Sequence, residues 1–80
     1  MRVDKFLKNA RVIKRRTVAK TACDQGRVKI NGQTAKAGDK VNVGDRIEIN
    51  FGTQTVEIEV LEVRDNVAKN DADKLYRMIQ

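Results

Sequence analysis

No histidine, proline or tryptophan occurs in these 80 residues, and cysteine appears once, as Cys23. Without histidine the chain lacks the commonest general base and metal ligand, and a lone cysteine can form neither an internal disulfide nor a zinc cluster. The expectation is therefore no catalytic residue, no metal and no cofactor. Aromatic residues are only Phe6, Phe51 and Tyr76, which argues against recognising single strands through a row of stacked bases. No apolar run approaches the ~18 residues of a membrane span, and no secretory leader pattern is visible, so a cytoplasmic protein with no membrane partner is expected. Linkers, repeats and low-complexity tracts are also lacking. A chain of this size makes one small domain with little room for an enclosed cleft.

What the chain does have is segregated charge. The overall balance is +6, but residues 1–36 hold eleven Lys/Arg against Asp4 and Asp24, a net +9, whereas residues 37–80 sum to −3. Such polarity gives one face that attracts a polyanion and another that does not, the footprint of a nucleic-acid binder. Acids that could neutralise the basic run by i, i+4 pairing are nearly absent from it.

Val3, Phe6, Leu7 and Ala10 recur at i, i+3, i+4 and i+7, which predicts a first helix with one buried face and Asp4 as its N-cap or first-turn acid. The cap is the favoured role, although Asp4 could also orient a neighbouring arginine. Lys5, Lys8 and Arg11 fall off the buried stripe, and Val12 and Ile13 supply an apolar anchor between helices. Thr17 is the expected N-cap of a second short helix burying Val18, Ala19, Ala22 and Cys23, with Gly26 as its left-handed C-cap. Cys23 reads as a buried structural thiol. Arg15 and Arg16 sit at that helix start, where the macrodipole is already positive; a docked phosphate would make this arrangement favourable.

Beyond Gly26, Val28 and Ile30 alternate with Arg27 and Lys29, and Asn31-Gly32 is the dipeptide of a type I′ hairpin leading into Gln33 to Lys36. Val41 and Val43, a Gly44-Asp45 turn, then Ile47, Ile49 and Phe51 continue the strand pattern, as do Val56, Ile58 and Val60. Glu57 and Glu59 are expected on the wet side of that last strand, repelling RNA from the back. From Asn70 onwards, Asp71 could cap a terminal helix carrying Ala72, Leu75, Tyr76 and Ile79; docking on the domain, packing on a partner and fraying all fit it. The fold class is α+β, with two short packed N-terminal helices, a small, mainly antiparallel sheet and this optional C-terminal helix. Recognition of folded RNA through shape and phosphate contacts suits the scarcity of aromatics.

The ordered combination Arg2-Val3-Asp4-Lys5-Phe6-Leu7, Arg11, Lys14-Arg15-Arg16-Thr17 with Ala19, Gly26 to Gly32 with Lys36, and Val43-Gly44-Asp45 closely resembles the RNA-binding domain first known from small-subunit ribosomal protein S-four, the alpha-L motif. The resemblance covers residues 1–63 and leaves 64–80 as a tail. As a free-standing domain opening RVDKFLK, the chain looks like the short bacterial ribosome quality control factors that stabilise P-site tRNA. That resemblance implies a non-enzymatic rRNA- and tRNA-binding protein on large ribosomal subunits blocked by peptidyl-tRNA. It would contact the helix 69 region of the rRNA together with the P-site peptidyl-tRNA while RqcH, on the same particle, directs alanine tailing of the nascent chain. It would act as a monomer. The related heat-shock rescue proteins carry a longer basic C-terminal extension, which this sequence does not show.

Carried over by residue, the RNA-binding surface is Arg2, Arg11, Lys14, Arg15 and Arg16 with Asp4 beside them, the greatest weight falling on Arg2 and Arg16. Lys5, Lys8, Lys20 and Lys29 would be peripheral phosphate contacts. The alternatives are a general structured-RNA binder, a heat-shock-type large-subunit rescue protein, or a module whose basic face meets an acidic protein.

Overall fold

The computed structural model describes residues 1–79. Helix α1 (Val3–Asn9) and helix α2 (Arg16–Asp24) are followed by strands β1 (Val28–Ile30), β2 (Gln33–Thr34), β3 (Arg46–Asn50) and β4 (Thr55–Val60), a 3-10 segment over Lys69–Leu75, and strand β5 (Tyr76–Ile79). The strands form one antiparallel sheet in the order β2-β1-β3-β4-β5. This is the expected α+β class.

The predicted stripe of α1 is the buried one: Val3, Phe6 and Leu7 are fully enclosed and Ala10 nearly so. These side chains join Ala19 and Cys23 of α2 and Val28, Ile47, Ile49, Ile58 and Val60 of the sheet in a single core, so the helices lie against one sheet face. Alternation along β3 turns Ile47 and Ile49 inward and Arg46, Glu48 and Asn50 outward. Asn31 and Gly32 both have positive φ, 51° and 84°, as a type I′ turn demands, and join β1 to β2.

Helix α1 ends in a Schellman turn. The Arg11 N–H donates to Lys8 O at 3.0 Å and the Val12 N–H to Leu7 O at 3.1 Å, while Arg11 holds φ 57°. Glycine is the usual occupant of this left-handed position, and a side-chain-bearing residue there costs roughly 1–2 kcal/mol.

Several sequence expectations need correction. Thr17 does not cap α2. The helix begins two residues earlier, Arg15 occupies the N-cap position with extended backbone, and no side chain caps it; Thr17 is already helical, so its hydroxyl cannot fold back onto the first free N–H groups. Val18 points to solvent at 51% exposure, because the buried arc of α2 is narrow and is filled by Ala19, Ala22 and Cys23. Val41 is buried but belongs to no strand, and Val43 is 66% exposed in the loop before Gly44. The second strand of the hairpin stops at Thr34 rather than running to Lys36.

The C-terminal segment is helical only as the 3-10 segment, which buries Ala72 and Leu75. Tyr76–Ile79 then pairs with β4, with Met78 opposite Ile58 and Tyr76 opposite Val60. Two donations from Asn9 Nδ2, to the carbonyls of Arg64 (3.0 Å) and Asp65 (3.1 Å), tie the intervening loop to α1.

Candidate nucleic-acid interface

The start of α2 presents unpaired backbone donors in a cationic setting. The Ala19 N–H is the first to bond back into the helix, to Arg15 O at 3.1 Å, so the three N–H groups before it have no intrahelical partner. No acid lies in the first turn and no side chain accepts from it. Within the first turn of α2, therefore, nothing offsets Arg15 and Arg16 at this positive helix end.

One carboxylate organises the arginines. Asp4 in the first turn of α1 is 2% exposed, yet its Oδ2 lies 3.1 Å from Arg2 Nη2 and 3.4 Å from Arg16 Nε, both on half-exposed side chains. Its Oδ1 accepts the Lys5 backbone N–H at 2.7 Å. A buried carboxylate needs such partners. The consequence is mechanical as much as electrostatic: Asp4 fixes two guanidinium groups from different elements at one place while leaving the trio net positive. Arg2 is anchored in turn by a β-bridge to Lys40, and the neighbouring Val3 N–H donates to Asp39 O at 2.7 Å.

Between these groups lies a shallow depression of about 290 Å³ lined by Arg2, Asp4, Arg16, Thr17 and Lys20. Positions 16, 17 and 20 share a face of α2 by helical spacing. Guanidinium forks and a helix N-terminus converging on a shallow, open surface suit a phosphate on a large ligand rather than an enclosed small molecule.

Of the residues expected at the site, Arg2, Asp4, Arg16 and Lys20 come together there, with Arg15 at the adjoining N-cap. Lys8 and Lys14 are exposed outside its lining. Lys5 is paired with Asp65 at 3.2 Å. Lys29 lies on β1 opposite Glu48, and Arg11 lines other depressions, toward Phe51 and toward Lys69. Thr17 and Lys40 were missed. Thr17 could have been found by helical spacing from Arg16, whereas nothing in the sequence signals the bridge that sets Lys40 beside Arg2.

Cys23 is not part of this chemistry. Burial, then the carboxylates of Asp4, Asp24 and Asp39, push its thiol from 9.0 up to about 11, so it is a protonated, inert core group at neutral pH. Among the described residues there is no cluster of potential metal ligands, and no helix is long and apolar enough to cross a membrane.

The S4 domain family matches residues 1–47, which span both helices, the hairpin and the first residues of β3. The class is thus an S4-domain, RNA-binding protein. Over 78 residues the chain is 50% identical to the RQC P-site tRNA stabilizing factor of Halalkalibacterium halodurans, covering 98% of this chain and 89% of that one. Its counterpart in Streptococcus pneumoniae is 48% identical over 79 residues, covering 99% and 90%. The chain belongs to this family of RQC P-site tRNA stabilizing factors, which is non-enzymatic. A solved trimeric structure of Vibrio cholerae Heat Shock Protein 15 superposes with a TM-score of 0.90 at 32% identity, covering 99% of this chain and 81% of that one.

Proposed function

We propose that this protein binds ribosome-borne RNA through the α2 start and stabilises P-site tRNA during ribosome-associated quality control. The observation that carries the reading is the pairing of Arg2 and Arg16 on buried Asp4 beside an uncapped, acid-free helix N-terminus, in a chain of this family. A phosphate docked there would take up free N–H groups and both guanidiniums without any group having to move far.

In finer detail, the reading places the protein on large subunits blocked by peptidyl-tRNA, touching the helix 69 region of the rRNA and the P-site peptidyl-tRNA while RqcH drives alanine tailing. Arg2, Arg15 and Arg16 carry the main contacts, positioned by Asp4. Arg11, Lys14, Lys8, Lys20, Lys5 and Lys29 contribute a weaker field, with Lys5 and Lys29 the least, since each has an acidic neighbour. Residues 1–63 form the RNA-binding unit and 64–79 brace it from the sheet edge. The protein acts as a monomer in the cytoplasm; light scattering of the purified chain tests that point against the trimer of the Vibrio relative.

The deciding experiment compares retention of tagged protein on large subunits with and without P-site peptidyl-tRNA. Retention that depends on the tRNA and is lost in Arg16→Ala is the expected result. Equal retention on both particles, or on unrelated RNA hairpins, would favour a general structured-RNA binder.

A further inference from the structure

A second cleft, sharing no lining residue with the first, opens where the inner sheet face runs out beyond the helices. It has a volume of about 330 Å³ and is walled by Arg11, Phe51, Gln54, Tyr76 and Met78. Its size lies at the lower end of small-ligand clefts, roughly 300–1,000 Å³. No residue of α1 or α2 lines it, so Phe51 at 39% and Met78 at 53% exposure remain uncovered on what is otherwise the core face.

One cation borders the cleft and a second lies at the turn beside Phe51. Arg11 sits in the strained left-handed position of the α1 turn, where glycine would fit better, and its side chain borders the cleft. The Arg27 guanidinium reaches the Gly52 turn: a Cβ built on Gly52 would lie 3.5 Å from Arg27 Nη1, next to Phe51. Neither arginine has an ion-pair partner among the described residues.

We propose that this cleft is a second RNA subsite, which takes one unpaired base against Phe51, Tyr76 and Met78 while Arg11 and Arg27 meet its flanking phosphates. The inference rests on the RNA-binding reading above and adds to it a preference for an extruded base. An aromatic surface accepts any base by its π-face, and nearby cations suit the flanking backbone. Gln54 supplies an amide donor and acceptor for a base edge. A purely apolar protein segment would answer the floor but leave two guanidiniums without partners. A nucleotide answers both.

The test uses the full chain and two synthetic RNA hairpins of equal length, one with a single bulged 2-aminopurine and the other with that position paired. Wild type should prefer the bulged RNA by about tenfold, the scale of one base stacked on an aromatic ring, and should quench its fluorescence. Phe51→Ala should bring that ratio close to one with binding of the paired hairpin unchanged. Met78→Thr, at a more exposed position, should reduce the ratio in the same direction if Phe51→Ala proves poorly folded. Arg11→Gly, which keeps the turn, should also lower it.

Arg16→Ala should weaken both hairpins alike. If it does so while Phe51→Ala leaves the preference intact, the subsite is wrong and the RNA reading stands. If Arg16→Ala changes neither, the RNA reading itself fails. No preference in wild type overturns the subsite and leaves the cleft to a protein partner.

Discussion

The outer face of the sheet and the helical face carry comparable numbers of charges but treat them differently. On the sheet, charges are matched across strands: Arg77 Nε donates to Glu59 at 2.9 Å, Arg46 lies 4.0 Å from Glu57, and Lys29 stands opposite Glu48. On the helical face, Arg2 and Arg16 share one carboxylate, and Lys8, Lys14, Arg15 and Lys20 have no ion-pair partner among the described residues. Paired surface charges contribute little at range, whereas unpaired ones beside a helix N-terminus sum to a field. The lesson is that an RNA-binding face holds an excess of cations that the protein does not neutralise for itself.

Charge reversal should break this contrast most strongly. Arg16→Glu places an acid against buried Asp4 and removes a phosphate ligand, so affinity for large subunits should fall more than about a hundredfold, and a filter-binding titration measures it. Reversing Arg77 on the sheet should alter binding less than about twofold, since its charge is already matched there. Next in size, Arg16→Ala should weaken binding by roughly tenfold and reduce the salt slope by about one, as expected for one lost phosphate contact.

A smaller effect sharpens the account of Asp4. Asp4→Asn keeps the volume but loses the charge that gathers Arg2 and Arg16; affinity should fall by about threefold to tenfold although the protein becomes more positive, because the loss is of orientation and not of field. A gain in affinity would show that Asp4 merely subtracts charge. The smallest effect concerns the core. Cys23 titrates higher in the folded chain than in the unfolded one, so its contribution to stability is complete below about pH 9 and is lost as pH rises toward about 11. Chemical denaturation across that window, compared with Cys23→Ala, should show a steeper decline where the thiol is present. Iodoacetamide at pH 8 should label Cys23 only as the chain unfolds.

Much of the architecture was legible because its signals are local. The α1 stripe, the Asn31-Gly32 turn and the alternation through Ile47, Ile49, Ile58 and Val60 follow from periodicity and turn chemistry. The fate of residues 69–79 was not. Ala72, Leu75, Tyr76 and Ile79 fit helical spacing, but pairing with the open edge of β4 satisfies more backbone than a frayed helix would, and that edge lies outside the segment. Thr17 failed as a cap because a suitable residue type does not fix a helix start, here displaced by two positions. Within the site, Arg15 and Arg16 were readable from their place at a helix start. The convergence of Arg2 and Arg16 on Asp4 is tertiary, and the sequence offered it only as one of two roles for Asp4.

The comparison of the two faces is tested most directly by salt-dependent binding to large subunits carrying P-site peptidyl-tRNA. Wild type, Arg16→Ala and Arg77→Ala would be titrated between about 50 and 200 mM salt, the range over which counterion release changes affinity steeply. The account predicts that Arg16→Ala binds more weakly with a shallower slope and that Arg77→Ala superposes on wild type. Equal losses of affinity and slope in the two variants would contradict it.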